Sequence, residues 1–121
     1  MKSKLSAGVA VLLFLCATSV LAEERFGVAV YPGAKYDADT SKFLKQSGMA
    51  QEAACFRTDD SVVKVVEFYK AQQGLKNLGS TKEGGMFRKS NIDVTIQKPW
   101  MNMATGKMMQ DTLISIIKLP Q

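Results

Sequence analysis

Apolar residues fall along this chain in distinct rhythms, each predicting a different element. Val62, Val65, Val66 and Tyr69 recur at i, i+3, i+4 and i+7 with Phe68 beside them, while Lys64, Glu67 and Lys70 take the other side. That spacing predicts an amphipathic helix. Thr58-Asp59-Asp60-Ser61 directly before it is a cluster of N-cap formers, its negative charge placed where the positive end of a helix dipole favours it. Gly74 followed by apolar Leu75 supplies the stop. Three valines are poor choices for an isolated helix, because β-branched side chains lose rotamer freedom there, so tertiary burial must hold it.

Elsewhere the period is two. Ile92, Val94 and Ile96 alternate with Asp93, Thr95 and Gln97, the pattern of a strand with one face on a core. Thr112 to Leu119 is rich in Leu and Ile and is expected at the centre of a sheet, with Pro120 ending it. Weaker strand signals lie at Phe26–Tyr31, closed by Pro32-Gly33, at Gln51–Arg57, and at Asn77–Thr81, which a Gly84-Gly85 turn joins to Met86–Lys89. Lys35 to Gly48 is polar, with only Phe43 and Leu44 to offer a core, and reads as a loop with a helical turn. The expected architecture is α+β: one main helix packed on a mostly antiparallel sheet of about five strands.

The third rhythm is a continuous apolar run from Ala7 to Cys16, preceded by Lys2 and Lys4 and followed by Val20-Leu21-Ala22, an A-x-A-like cleavage site. Residues 1–22 therefore read as a cleaved signal peptide and residues 23–121 as a single domain exported to the periplasm or secreted. The run is short of the ~20 residues that span a bilayer. Cys16 leaves a lipidated form as the alternative, although bulky Leu15 stands where lipoprotein signals carry Gly, Ala or Ser.

Removing that leader changes the charge and the cysteine count. The whole chain has 16 Lys and Arg against 11 Asp and Glu; two of the lysines leave with residues 1–22, lowering the net charge from +5 to +3. No run of five like charges remains, so no nucleic-acid footprint is visible. Cys55 is left alone, and no intramolecular disulfide can close.

The absence of histidine removes Ser–His and Cys–His catalysis. Asp59-Asp60 is explained as capping rather than as a catalytic carboxylate pair. The glycines at 27, 33, 84 and 85 build no phosphate cradle. Cys55 is a candidate reactive thiol, with Arg57 two residues along the same strand face to lower its pKa; the competing reading is a small core filler. Trp100, Met101, Met103, Met108 and Met109 are the one unusual concentration of soft ligands. Thioethers select Cu(I), and an indole ring can lie against the cation. Methionine is equally a filler of cores and of adaptable binding surfaces. The Trp and Met-x-Met arrangement weakly resembles the site of small periplasmic copper chaperones of the β-barrel type, whose sites also use a histidine that this chain lacks.

Tyr31-Pro32-Gly33-Ala34, followed by Thr58-Asp59-Asp60-Ser61 with Val62 to Lys70, resembles a loose group of exported bacterial proteins of unknown function. A "YPGA" turn precedes a "TDDS…V…FYK" helix in that group. The resemblance implies an exported α+β domain and carries over no activity or site residue. The leading expectation is a non-enzymatic binding module that engages a protein or peptide, or a second copy of itself, through a sheet face or edge and the Met/Trp loop. A Cu(I) carrier is the alternative, and an enzyme using carboxylates with Lys or Arg is the third class.

Overall fold

The computed structural model describes residues 23–121; the expected signal peptide, its expected cleavage after Ala22 and the alternative of lipidation at Cys16 lie outside them. The strand expected over Phe26–Tyr31 is broken by a turn. Phe26 and Gly27 take φ of 54° and 81°, the two successive positive values that a tight hairpin requires, and they join β1 (Glu24–Arg25) to β2 (Val28–Ala29). Val28, Val30 and Tyr31 then run into the core. Pro32-Gly33 turns as expected, with Gly33 at φ 83° and the Ala34 amide donating to the Tyr31 carbonyl at 3.1 Å.

Lys35–Gly48 departs furthest from expectation. After β3 (Lys35–Tyr36) it forms a nine-residue helix, α1 (Ala38–Gln46), so the described residues hold two helices rather than one main helix. Polar bonds hold it in place of an apolar stripe. Asp37 caps it by accepting from the Thr40 amide at 3.0 Å, and the buried Ser41 hydroxyl donates to the Asp37 carbonyl at 2.7 Å. Ser41 Oγ also accepts the Cys55 amide at 2.8 Å, and the Asp37 amide donates to the Cys55 carbonyl at 2.8 Å, tying α1 to β4 (Glu52–Thr58).

The valine stripe forms α2 (Val62–Lys70) with Ser61 as its cap, and Val62, Val65, Val66 and Tyr69 are all buried. The remaining strands are β5 (Lys76–Thr81), β6 (Gly84–Lys89), β7 (Ile92–Gln97), β8 (Trp100–Asn102), β9 (Lys107–Met109) and β10 (Thr112–Lys118). The turn between β5 and β6 falls at Lys82-Glu83, and both glycines expected to make it lie in β6. Gly85 has a packing reason to be there: a Cβ would stand 3.1 Å from Val66 Cγ2, so its absence lets α2 close on the sheet.

The main sheet has six strands, not five, in the order β3-β4-β10-β7-β6-β5, and every pairing in it is antiparallel. β10 is central, as expected. Its register puts Ile114 between Phe56 and Ile96, and Ile116 between Ala54 and Val94, laying an apolar floor under α2. Burial of the four α2 side chains contributes about 1.5–3 kcal/mol each, which outweighs the helix's weak propensity. Leu113 and Cys55 face the other way, joining Trp100, Leu44 and Met109 in a smaller cluster. Two helices on an antiparallel sheet make the fold α+β. No helix among the described residues is long and apolar enough to cross a membrane.

Candidate functional site

The second face of the sheet is covered only in part. Its rows across β4, β10 and β7 are Arg57–Leu113–Gln97 and Cys55–Ser115–Thr95, too polar to support a closed core. α1 lies over one side and the β8–β9 hairpin over the other. Between them runs a groove of about 670 Å³, floored by Leu113, Ser115 and Ile117 and walled by Phe43 and Leu44 on one side and the hairpin on the other. That volume is in the range of pockets that take a ligand or an anchoring side chain.

Methionines supply much of its wall. Met49, Met101, Met103 and Met108 line it and are 61%, 46%, 64% and 50% exposed, so they are not core fillers. The hairpin register explains this: Trp100 pairs with Met109, which packs into the small cluster, and Met101 pairs with Met108 on the opposite side of the ribbon. The structure thus divides the five Met and Trp residues singled out in the sequence. Trp100 and Met109 anchor, whereas Met101, Met103 and Met108 are presented.

Trp100 is held by a three-membered brace that the sequence reading missed. Asp111 accepts from Trp100 Nε1 at 2.9 Å and from Arg57 Nε at 2.7 Å, and the Arg57 guanidinium lies 5.2 Å from the indole centroid. Desolvation opposes ionisation of Asp111, but the bonds from Arg57 and Trp100 prevail and hold its carboxyl below its ordinary value. Asp111 in turn raises the Arg57 pKa further above its already high value. Because a tryptophan N–H in an interior must find an acceptor, the acid just past the Met segment was the available clue.

Cys55 is fully buried, its Sγ 3.5 Å from Ser115 Oγ, and burial pushes the thiol pKa up. Arg57, expected to lower it, is committed to Asp111 and Trp100. Asp60 accepts the Tyr31 hydroxyl at 2.6 Å, and Ser61 rather than either aspartate is the α2 cap. Loss of hydration and the adjacent Asp60 carboxylate push the Tyr31 pKa up to about 12.

Beyond the brace lies a second hollow of about 740 Å³, around which Asp37, Asp39, Asp59, Asp60 and Asp111 surround Arg57, with Lys35 at the margin. Asp39 lines both hollows. Among the described residues, no group of three His, Cys, Asp or Glu is arranged to hold a metal ion. Comparison of the chain with family models, with curated proteins and with solved structures finds no match.

Proposed function

We propose that this chain is an exported, non-enzymatic binding module that takes up apolar side chains of a protein or peptide in the groove between α1 and the β8–β9 hairpin. The observation that carries this reading is the wall of exposed methionines, Met49, Met101, Met103 and Met108, over a sheet face covered only in part. Thioether side chains are flexible and polarizable, so such a wall adapts to differently shaped partners. Exposed edges are weaker candidates: β3 has two residues, and β5 carries a bulge between Asn77 and Gly79, with Lys76 at its start and Lys82 in the turn just past its end.

The test is methionine-methyl NMR of residues 23–121 with a leucine-rich peptide as probe. Resonances of Met49, Met101, Met103 and Met108 shift on binding, while those of Met86, exposed but outside the groove, and Met109, packed beneath it, stay in place. Equal shifts at Met86 would mean non-specific adsorption and would overturn the reading. Because Met101, Met103 and Met108 are gathered in one groove, Cu(I) carriage by these three is the second reading, with Trp100 already engaged by Arg57. A Cu(I) titration against a competing chelator distinguishes it, since only a carrier binds appreciably tighter than micromolar.

A further inference from the structure

The groove does not end at the methionines. It shares Asp39 with the acidic hollow, where five of the chain's 11 acidic residues collect although the chain as a whole is basic. Three of these carboxylates are engaged: Asp37 caps α1, Asp60 takes the Tyr31 hydroxyl, and Asp111 holds the brace. Asp39 and Asp59 make no side-chain hydrogen bond or ion pair among the described residues, and Asp59 is exposed. The groove's own lining carries Glu83 and Asp39 against Lys98. The hollow that shares Asp39 sets five carboxylates against Arg57 and Lys35 and is therefore the more acidic of the two.

We propose that the occupant is a cationic amphipathic peptide segment, whose apolar side chains enter the methionine-walled groove while its Lys or Arg residues reach past Asp39 toward Asp59. This rests on the binding reading above and adds the chemistry of the partner. Charge complementarity decides it: an anionic amphiphile entering the same groove would put its head against Asp39 and the carboxylates behind it, whereas a cation there is attracted. An apolar wall with an acidic end matches the helix-in-groove mode, in which side chains at i, i+3 and i+4 anchor and flanking charges set orientation.

The experiment measures binding of residues 23–121 to three fluorescein-labelled peptides of equal length: leucine with lysine, leucine with glutamate, and serine with lysine. The Leu/Lys peptide binds at least about tenfold more tightly than either other peptide, and added salt narrows its margin over Leu/Glu. Asp39→Lys/Asp59→Lys weakens Leu/Lys binding about tenfold or more and does not weaken Leu/Glu binding. If the double variant is not folded at the assay temperature, Asp59→Lys alone, outside both helices, gives the same change in smaller measure. Equal binding of Leu/Lys and Leu/Glu overturns the cationic inference and leaves the groove intact as a binding site. Failure of both leucine peptides overturns the groove reading as well. Ser/Lys binding as tight as Leu/Lys, or an Asp59→Lys variant without effect on Leu/Lys binding, places any attraction outside the groove and refutes the proposal.

Discussion

Asp111→Ala tests whether one carboxylate holds up the hairpin wall of the groove. The substitution removes the acceptor for Trp100 Nε1 and the closest partner of Arg57, leaving that guanidinium with Asp37 at 3.8 Å. A charge-assisted hydrogen bond is worth about 1.5–3 kcal/mol, and an orphaned buried donor such as this indole N–H costs about 1–3 kcal/mol. The Arg57 side chain is 33% exposed and Asp111 18%, so solvent screening reduces the first figure. The expected loss is about 2–4 kcal/mol, or a fall in Tm of about 10–25 °C for a domain of this size. Melting is followed by far-ultraviolet circular dichroism and by the emission of Trp100, the only tryptophan. Asp111→Asn keeps an acceptor for the indole while removing the charge, and recovers about half of the loss. The folded carboxyl is held below the ordinary 3.8, so its contribution is complete above that pH and disappears as pH falls through the lowered value. Asp111→Asn therefore also flattens the acid limb of the stability curve. An Asp111→Ala protein melting within about 2 °C of the parent, with unchanged emission, would refute the brace.

Val66→Asp places a carboxylate at a position 4% exposed, against Gly85, and abolishes cooperative melting; a soluble variant with a sharp transition would show the valine stripe to be misread. The Tyr31 pKa is raised from 10.0 to about 12, so its contribution is complete below pH 10 and lost as pH climbs through about 12. Tyr31→Phe removes that part of the alkaline limb, as denaturant titrations at stepped pH will show. Cys55, buried with its thiol pKa raised, resists a thiol reagent in the native protein and reacts once denaturant is added. Stoichiometric labelling within seconds under native conditions contradicts the burial.

The two helices show what a sequence pattern can and cannot reveal. α2 announces itself because its four buried side chains repeat at the helical period, and nothing else among the described residues does so. α1 buries only Ser41 and is fixed by side-chain and backbone bonds to Asp37 and Cys55, contacts without any periodic trace in the apolar pattern. Its Asp37 cap was visible as a residue type but not as a helix start, since no apolar stripe follows it. The Met/Trp segment was legible as a concentration of unusual residues. Which of them anchor and which are presented depends on the β8–β9 register, and the Arg57–Asp111 pair spans 54 positions that no local pattern joins.

The difference between the two sheet faces follows from β10. Its alternate residues Ile114 and Ile116 meet apolar partners on both neighbouring strands, and α2 closes over them. On the reverse face Leu113 lies between Arg57 and Gln97, Ser115 between Cys55 and Thr95, and Ile117 between Ala53 and Asp93. Each apolar side chain there has at least one polar neighbour, and Asp93 is itself clasped by Arg88 at 2.6 and 2.9 Å. A dry lid over such a face would strand the Thr95 and Gln97 side chains at about 1–3 kcal/mol each, which offsets most of what Leu113 and Ile117 return. Cover is therefore stable where Trp100 brings its own acceptor and α1 its own hydroxyl, and it stops between them. The same alternation that seals one side of the sheet leaves the other as a groove, with the exposed thioethers of Met49, Met101, Met103 and Met108 along its wall.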